Sequence, residues 1–338
     1  MDMNRIGIIG GGAWGTALTC VVRRAGRDAV LWAREAEVVD GVNRGHENSL
    51  FLPGIELDHA VKATGRLAEA ADVDAVLLVV PAQFLRAVTA ELGAVMAAGV
   101  PVVLCAKGIE RETGALMSEV VAATLPGHPV MVLSGPTFAA EVAGDLPTAV
   151  TLAAADDGLG QVLAEALGSR RFRIYRSGDV AGAEIGGAVK NVLAIACGIT
   201  EGRGFGSNGR AALITRGLAE MTRLCVAKGG RAETMMGLCG LGDLVLTCNS
   251  RQSRNYSVGV ALGEGTLLAD VLAGRRSVAE GVDSAGAVAG LAQAIGVEMP
   301  IVAAVNAVLG GKLSVDDAIT GLLARPFRSE QPAAGARP

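Results

Sequence analysis

The sequence predicts an α/β protein whose first half is a doubly wound sheet and whose second half is mainly α-helical. Two observations carry this. Up to about residue 182, short apolar runs rich in β-branched residues alternate with helical patterns, as expected of strands buried on both faces of a mostly parallel sheet. Beyond that point the β-branched runs stop, and Ala-, Leu- and Gly-rich stretches of helical period take over. A length of 338 residues fits two domains, read as 1–182 and 183–325, with 326–338 expected as a disordered tail.

Taken in order, strands are expected at 5–9, 29–34, 74–80, 100–105 and 130–133, with two more at 148–152 and 172–175 on the far edge of the sheet. The first strand runs through a glycine cluster into a helix reaching about residue 25. In the second half, helices are expected at 184–198, 211–227, 256–263, 278–295, 300–309 and 315–323.

Composition narrows the function classes. Lys plus Arg (30) nearly balances Asp plus Glu (34), and only ten residues are aromatic, so no nucleic acid is expected as partner. The six cysteines show no C-x-x-C spacing and there are three histidines, so no metal site is expected. Such scattered cysteines read as buried free thiols of a reducing compartment. The charge-free run 120–140 contains Pro126, Pro129 and Pro136 and cannot form a spanning helix. A cytoplasmic protein with no membrane span is the expectation, and the apolar helical half points to a homodimer.

The glycines cluster. Gly10-Gly11-Gly12-Ala13-Trp14-Gly15 is a G-x-G-x-x-G pattern between a strand and a helix. There Gly10 permits a tight turn, Gly12 lets a pyrophosphate approach the backbone, and Gly15 lets helix and strand pack closely. The first half therefore reads as Rossmann-like and the ligand as a dinucleotide, held at the helix N-terminus. Arg34 stands nineteen residues after Gly15 at the end of the second strand. A cation there suits a 2′-phosphate, so NADP(H) is expected with NAD(H) tolerated; Glu35 could serve a ribose, and a solvated strand-end arginine is the other reading of Arg34. Lys107 follows the fourth strand, over the crevice where such sheets bind ligands, or is simply a loop lysine. In the loop 133–139, Thr137 is an expected helix N-cap.

Lys190 and Asn191 form a polar pair inside an otherwise apolar helix, with Gly186 and Gly187 one turn away. Two mid-helix glycines cost about 1 kcal/mol each, which close approach of a cofactor or substrate could offset. A desolvated lysine has a lowered pKa and suits proton transfer; snorkelling past tight helix packing is the alternative. A third cluster, 237–248, contains Asp243, which could orient Lys190 or a hydroxyl. In the polar loop after it, Ser253, Arg254 and Asn255 would clamp a phosphate, unless the loop is an ordinary solvated turn.

Together these segments resemble the bacterial NAD(P)-dependent glycerol-3-phosphate dehydrogenase family. The matching stretches are GGGAWGTAL, WAR, FLPG, AKGIE, LSGPTFAAEV, AVKNVLAIACGI, GLCGLGDLVLTC, SRNYSVG and VAEG, in that order along nearly the whole chain. The resemblance implies interconversion of sn-glycerol 3-phosphate and dihydroxyacetone phosphate, feeding phospholipid synthesis. It implies Lys190 as proton donor and acceptor, and a site for this small phosphate substrate made of Lys107, Gly135, Thr137, Lys190, Asp243, Ser253, Arg254 and Asn255. It further implies that Ala13, Trp14, Arg34, Lys107, Ala139, Arg254, Val278 and Glu280 contact the nicotinamide cofactor. Position 13 departs from the family, where Ser is common, so a side-chain bond to the pyrophosphate is lost. Two competing readings are a β-hydroxyacid dehydrogenase of the same fold, with a carboxylate-binding loop in place of SRN, and a non-catalytic nucleotide sensor.

Overall fold

The computed structural model describes residues 3–273, 279–327 and 329. Eight strands form one sheet: β1 (Arg5–Ile9), β2 (Asp28–Trp32), β3 (Lys62–Thr64), β4 (Ala75–Leu78), β5 (Val102–Leu104), β6 (Val130–Ser134), β7 (Thr148–Ala154) and β8 (Phe172–Ser177), in the order β3-β2-β1-β4-β5-β6-β7-β8. Every neighbouring pair is parallel except β6–β7, which is antiparallel. The predicted apolar runs overshoot the hydrogen-bonded strands at 29–34, 74–80 and 100–105, because burial continues into the loops that leave the sheet. The short edge strand β3 was not expected: three residues carry no usable period.

The helices are α1 (Ala13–Arg24), α2 (Ala36–Asp40), α3 (Leu67–Ala71), α4 (Leu85–Gly93), α5 (Met117–Thr124), α6 (Ala139–Ala143), α7 (Asp157–Leu167), α8 (Val180–Gly202), α9 (Gly206–Ala227), α10 (Asp243–Cys248), α11 (Arg254–Gly263), α12 (Leu268–Ala273), α13 (Glu280–Ala294), α14 (Pro300–Leu309) and α15 (Val315–Leu323). Strand residues alternate between two packed layers, so Ile8 and Leu77 join α1 and α7 on one face while Ile9 and Leu78 join α4 and α5 on the other. This is why the strands read as continuous apolar runs.

A third core builds the helical half around α8, which is buried from Gly182 to Thr200. Asp179 caps α8, accepting from the N–H of Gly182. By length and hydropathy α8 could cross a membrane, but 89% of that stretch is buried inside the fold, so its apolarity is that of a core helix. Residues 326, 327 and 329 lie in no helix or strand, and the rest of the expected tail falls outside the described residues.

Candidate active site

The glycine turn is built as its sequence requires. Gly10 has φ +130°, and a side chain there would meet the Val79 carbonyl carbon at 2.9 Å. A Cβ on Gly15 would lie 1.8 Å from the Gly10 carbonyl oxygen, so only glycine lets α1 pack against the end of β1. Above Gly12 there is nothing within 4 Å. Gly12 caps α1 without a side-chain bond, leaving first-turn N–H groups to meet an anion. Beside them Trp14 holds a buried indole N–H with no partner among the described residues. An open floor, free N–H groups and an orphaned donor fit a pyrophosphate. Arg34, just past β2, is 77% exposed and among the described residues pairs with Glu35 at 3.5 Å, a loose surface contact that lets its guanidinium turn toward a ligand.

Across the cleft, three charged side chains converge. Asp243, at the start of α10, is fully buried with 0% side-chain exposure. Lys190 of α8 donates to its Oδ1 at 2.5 Å and to Thr247 Oγ1 at 3.0 Å. Lys107, in the loop after β5, donates to Asp243 Oδ2 at 2.8 Å and to the Gly135 carbonyl at 3.1 Å. Burial lowers the Lys190 pKa from 10.5 to about 8, outweighing the opposing charge of Asp243, and the nearby Lys107 ammonium pushes it the same way. The snorkelling alternative for Lys190 is thereby set aside.

Glu280, first residue of α13, faces the same cleft. Burial raises its pKa against the charges of Arg254, Lys107 and Lys190, and the Ala82 N–H donates to it. Arg254 opens α11, and Ser253 caps that helix by accepting from the Tyr256 N–H. The Asn255 side chain is buried and bridges two elements: its Nδ2 donates to Asn191 Oδ1 at 3.0 Å and its Oδ1 accepts from the Gly281 N–H at 2.9 Å. Its second Nδ2 hydrogen and its main-chain N–H in the first turn of α11 remain for an anion. Asn191 in turn donates to the Lys107 carbonyl at 3.2 Å, so one amide chain ties α13, α11, α8 and the Lys107 loop together.

Two expectations are corrected. Thr137 is not a helix cap; Phe138 holds that position before α6, and Thr137 Oγ1 instead donates to the Gly135 carbonyl at 3.3 Å. Gly186 and Gly187 do not make room for a ligand. A Cβ on Gly186 would lie 2.2 Å from the Cys239 carbonyl oxygen, and one on Gly187 would meet Ser134 Oγ at 3.2 Å and Lys107 Cγ at 3.3 Å. Gly186 lets α8 lie against the turn Leu238–Gly242 that delivers Asp243, and Gly187 lets it lie against the end of β6 and Lys107. Ala139 begins α6. Val278 lies outside the described residues. Thr247 and the bridging role of Asn191 were missed. The signal for Thr247 was its four-residue spacing from Asp243, legible only once 243–248 is read as a helix. Among the described residues no group of His, Cys, Asp or Glu could hold a metal.

The profile described as NAD-dependent glycerol-3-phosphate dehydrogenase N-terminus matches residues 5–159, and its C-terminus counterpart matches 179–320. A glycerol-3-phosphate dehydrogenase (NAD(P)+) of Parvibaculum lavamentivorans is 59% identical over 326 residues, covering 96% of this chain and 98% of the relative. One from Caulobacter vibrioides is 57% identical over 330 residues, covering 98% and 100%. The crystal structure of glycerol-3-phosphate dehydrogenase from Coxiella burnetii superposes with a TM-score of 0.92 at 41% identity, covering 95% of this chain and 99% of that one. With both halves of the family matched in order and relatives of up to 59% identity over nearly the whole chain among those compared, this chain belongs to the NAD-dependent glycerol-3-phosphate dehydrogenase family.

Proposed function

We propose that this chain is an oxidoreductase that interconverts sn-glycerol 3-phosphate and dihydroxyacetone phosphate with NADP(H) or NAD(H), supplying glycerol 3-phosphate for phospholipid synthesis. The observation that carries the reading is the buried Lys107–Asp243–Lys190 triad, with one lysine from the loop that leaves β5 and the other from α8. Gly10, Gly12, Ala13, Trp14 and Gly15 hold the pyrophosphate, Arg34 meets a 2′-phosphate, and Lys107, Ala139, Arg254 and Glu280 contact the cofactor. When bound, the dinucleotide supplies or accepts the hydride.

The chain's own residues do the rest. In the reductive direction Lys190 gives a proton from Nζ to the substrate's carbonyl oxygen, and in the oxidative direction it takes one from the hydroxyl. Asp243 and Thr247 spend two of the three ammonium hydrogens and fix where the third points. The triad carries two positive charges against one negative, and the surplus stabilises the developing alkoxide in a site shielded from water. Arg254, with Ser253 and the Asn255 N–H, grips the phosphate, while Gly135 and Thr137 line the same pocket; that grip positions the carbonyl. A cationic helix start favours a phosphate over the carboxylate of a β-hydroxyacid. Buried lysines around a buried aspartate favour catalysis over nucleotide sensing.

In this reading 1–182 carries the dinucleotide and 183–325 the substrate chemistry. The assembly is a homodimer through the helical half, whose surface exposes Phe205, Leu323 and Phe327 around an apolar groove between α9, α14 and α15. The compartment is the cytoplasm, in keeping with six buried free thiols. The deciding experiment follows reduced-nicotinamide absorbance on addition of dihydroxyacetone phosphate. Lys190→Ala should cut kcat by about 100-fold or more while cofactor affinity stays within about threefold. Turnover surviving within about tenfold overturns the role of Lys190.

A further inference from the structure

We propose that Asn48 is a positioning residue for the dinucleotide turn, holding the Gly11–Gly12 peptide so that its N–H faces the ligand. The inference rests on the dinucleotide reading above. Asn48 lies 37 residues beyond Gly11 in sequence, in the segment between α2 and β3, and is 1% exposed. Its Nδ2 donates to the Gly11 carbonyl oxygen at 2.8 Å and to Thr16 Oγ1 at 2.8 Å. Thr16 Oγ1 passes its own hydrogen to the Gly12 carbonyl oxygen at 3.0 Å.

Peptide planarity gives these bonds a direction. In a trans peptide the carbonyl of one residue and the N–H of the next point opposite ways. Drawing the Gly11 carbonyl inward therefore turns the Gly12 N–H outward, and drawing the Gly12 carbonyl inward does the same for Ala13. A run of three glycines has no side chains to hold these peptides, and above Gly12 the space is open, so the turn needs an outside tether. Asn48 supplies it from a segment that is itself fixed. Its Oδ1 accepts from the Phe51 N–H at 3.2 Å, and its carbonyl accepts from the Leu52 N–H at 2.8 Å.

The hydrogen count specifies an amide. Both Nδ2 hydrogens and Oδ1 are used, and a reversed amide would set Oδ1 against the Gly11 carbonyl oxygen. An aspartate would do the same with a full charge, near the place of a pyrophosphate.

The test titrates full-length protein with NADPH by calorimetry and measures kcat and both KM values for wild type, Asn48→Ala and Asn48→Asp. Both variants should bind NADPH about tenfold more weakly or worse, Asp more than Ala. The kcat at saturating NADPH and the KM for dihydroxyacetone phosphate should stay within about twofold. A merely structural role would lower the melting temperature without this selective loss of dinucleotide affinity. If these two variants do not fold, Asn48→Leu removes the same donors with little change in volume, and an NADPH affinity within about twofold of wild type overturns the proposal. Folded Asn48 variants that bind NADPH as wild type does overturn it alone. A wild type that binds no dinucleotide overturns it together with the proposed function.

Discussion

In the proposed mechanism Lys190 can be titrated through the reaction it would serve. Burial and the Lys107 charge hold its pKa at about 8, against 10.5 for an ordinary lysine. Reduction needs the ammonium and oxidation needs the amine, so the two directions should respond to pH with opposite signs. About nine-tenths of Lys190 is protonated at pH 7 and about one-tenth at pH 9, so reductive kcat/KM should fall about tenfold over that interval. Oxidation of sn-glycerol 3-phosphate should rise over the same interval and level off above it. Initial rates at subsaturating substrate, with NADPH consumed or formed, measure both limbs. Lys107→Gln removes the like charge and should move both limbs to higher pH. A reductive kcat/KM that stays flat to about pH 10 would mean that Lys190 titrates as a solvated lysine, and the burial argument would be wrong.

Three other predictions follow from the same contacts. Gly186→Ala drives a Cβ into the Cys239 carbonyl, so it should cost about 1–3 kcal/mol of stability and displace Asp243, read as a lower melting temperature with lower kcat. Burial raises the Glu220 pKa to about 7 where its carboxyl accepts the N–H groups of Ile301 and Val302. The folded chain therefore binds more protons than the unfolded chain between about pH 4.5 and 7, and stability present below that window is lost as pH rises through it, by up to about 3 kcal/mol. Glu220→Gln should flatten this part of the slope in urea melts; an unchanged slope would assign it elsewhere. Arg34→Ala should raise the KM for NADPH about tenfold and leave that for NADH within about twofold, and equal effects on both would remove Arg34 from the 2′-phosphate site.

The strands and the glycine turn were legible because their signals are local. RIGII followed by G-x-G-x-x-G sets period, turn and helix start within a dozen residues. Lys190 was legible as an anomaly, a charge inside an apolar helix, but the residues alone left its direction open. What settles the direction is Asp243, 53 residues away, which the sequence offered as one possible partner for Lys190 but only the fold brings to it. Gly186 and Gly187 were misread for the same reason: a small residue reports close approach without saying what approaches. Asn255 was read as a phosphate ligand from its polar neighbours; that its amide also bridges Asn191 and Gly281 has no local signal. The antiparallel β7 could not be foreseen, since a buried strand reads alike in either direction.

Asp243 is gripped by one lysine from the sheet side and one from α8, so the proposed acid-base apparatus belongs to neither half of the chain. Cutting at the sheet–helix junction would leave the carboxylate facing one cation where it now faces two. The carboxyl-terminal piece, grafted onto a foreign nucleotide-binding sheet, would be inert unless that sheet offered a lysine at the place of Lys107. Such parts can be inherited, exchanged or engineered only as a pair.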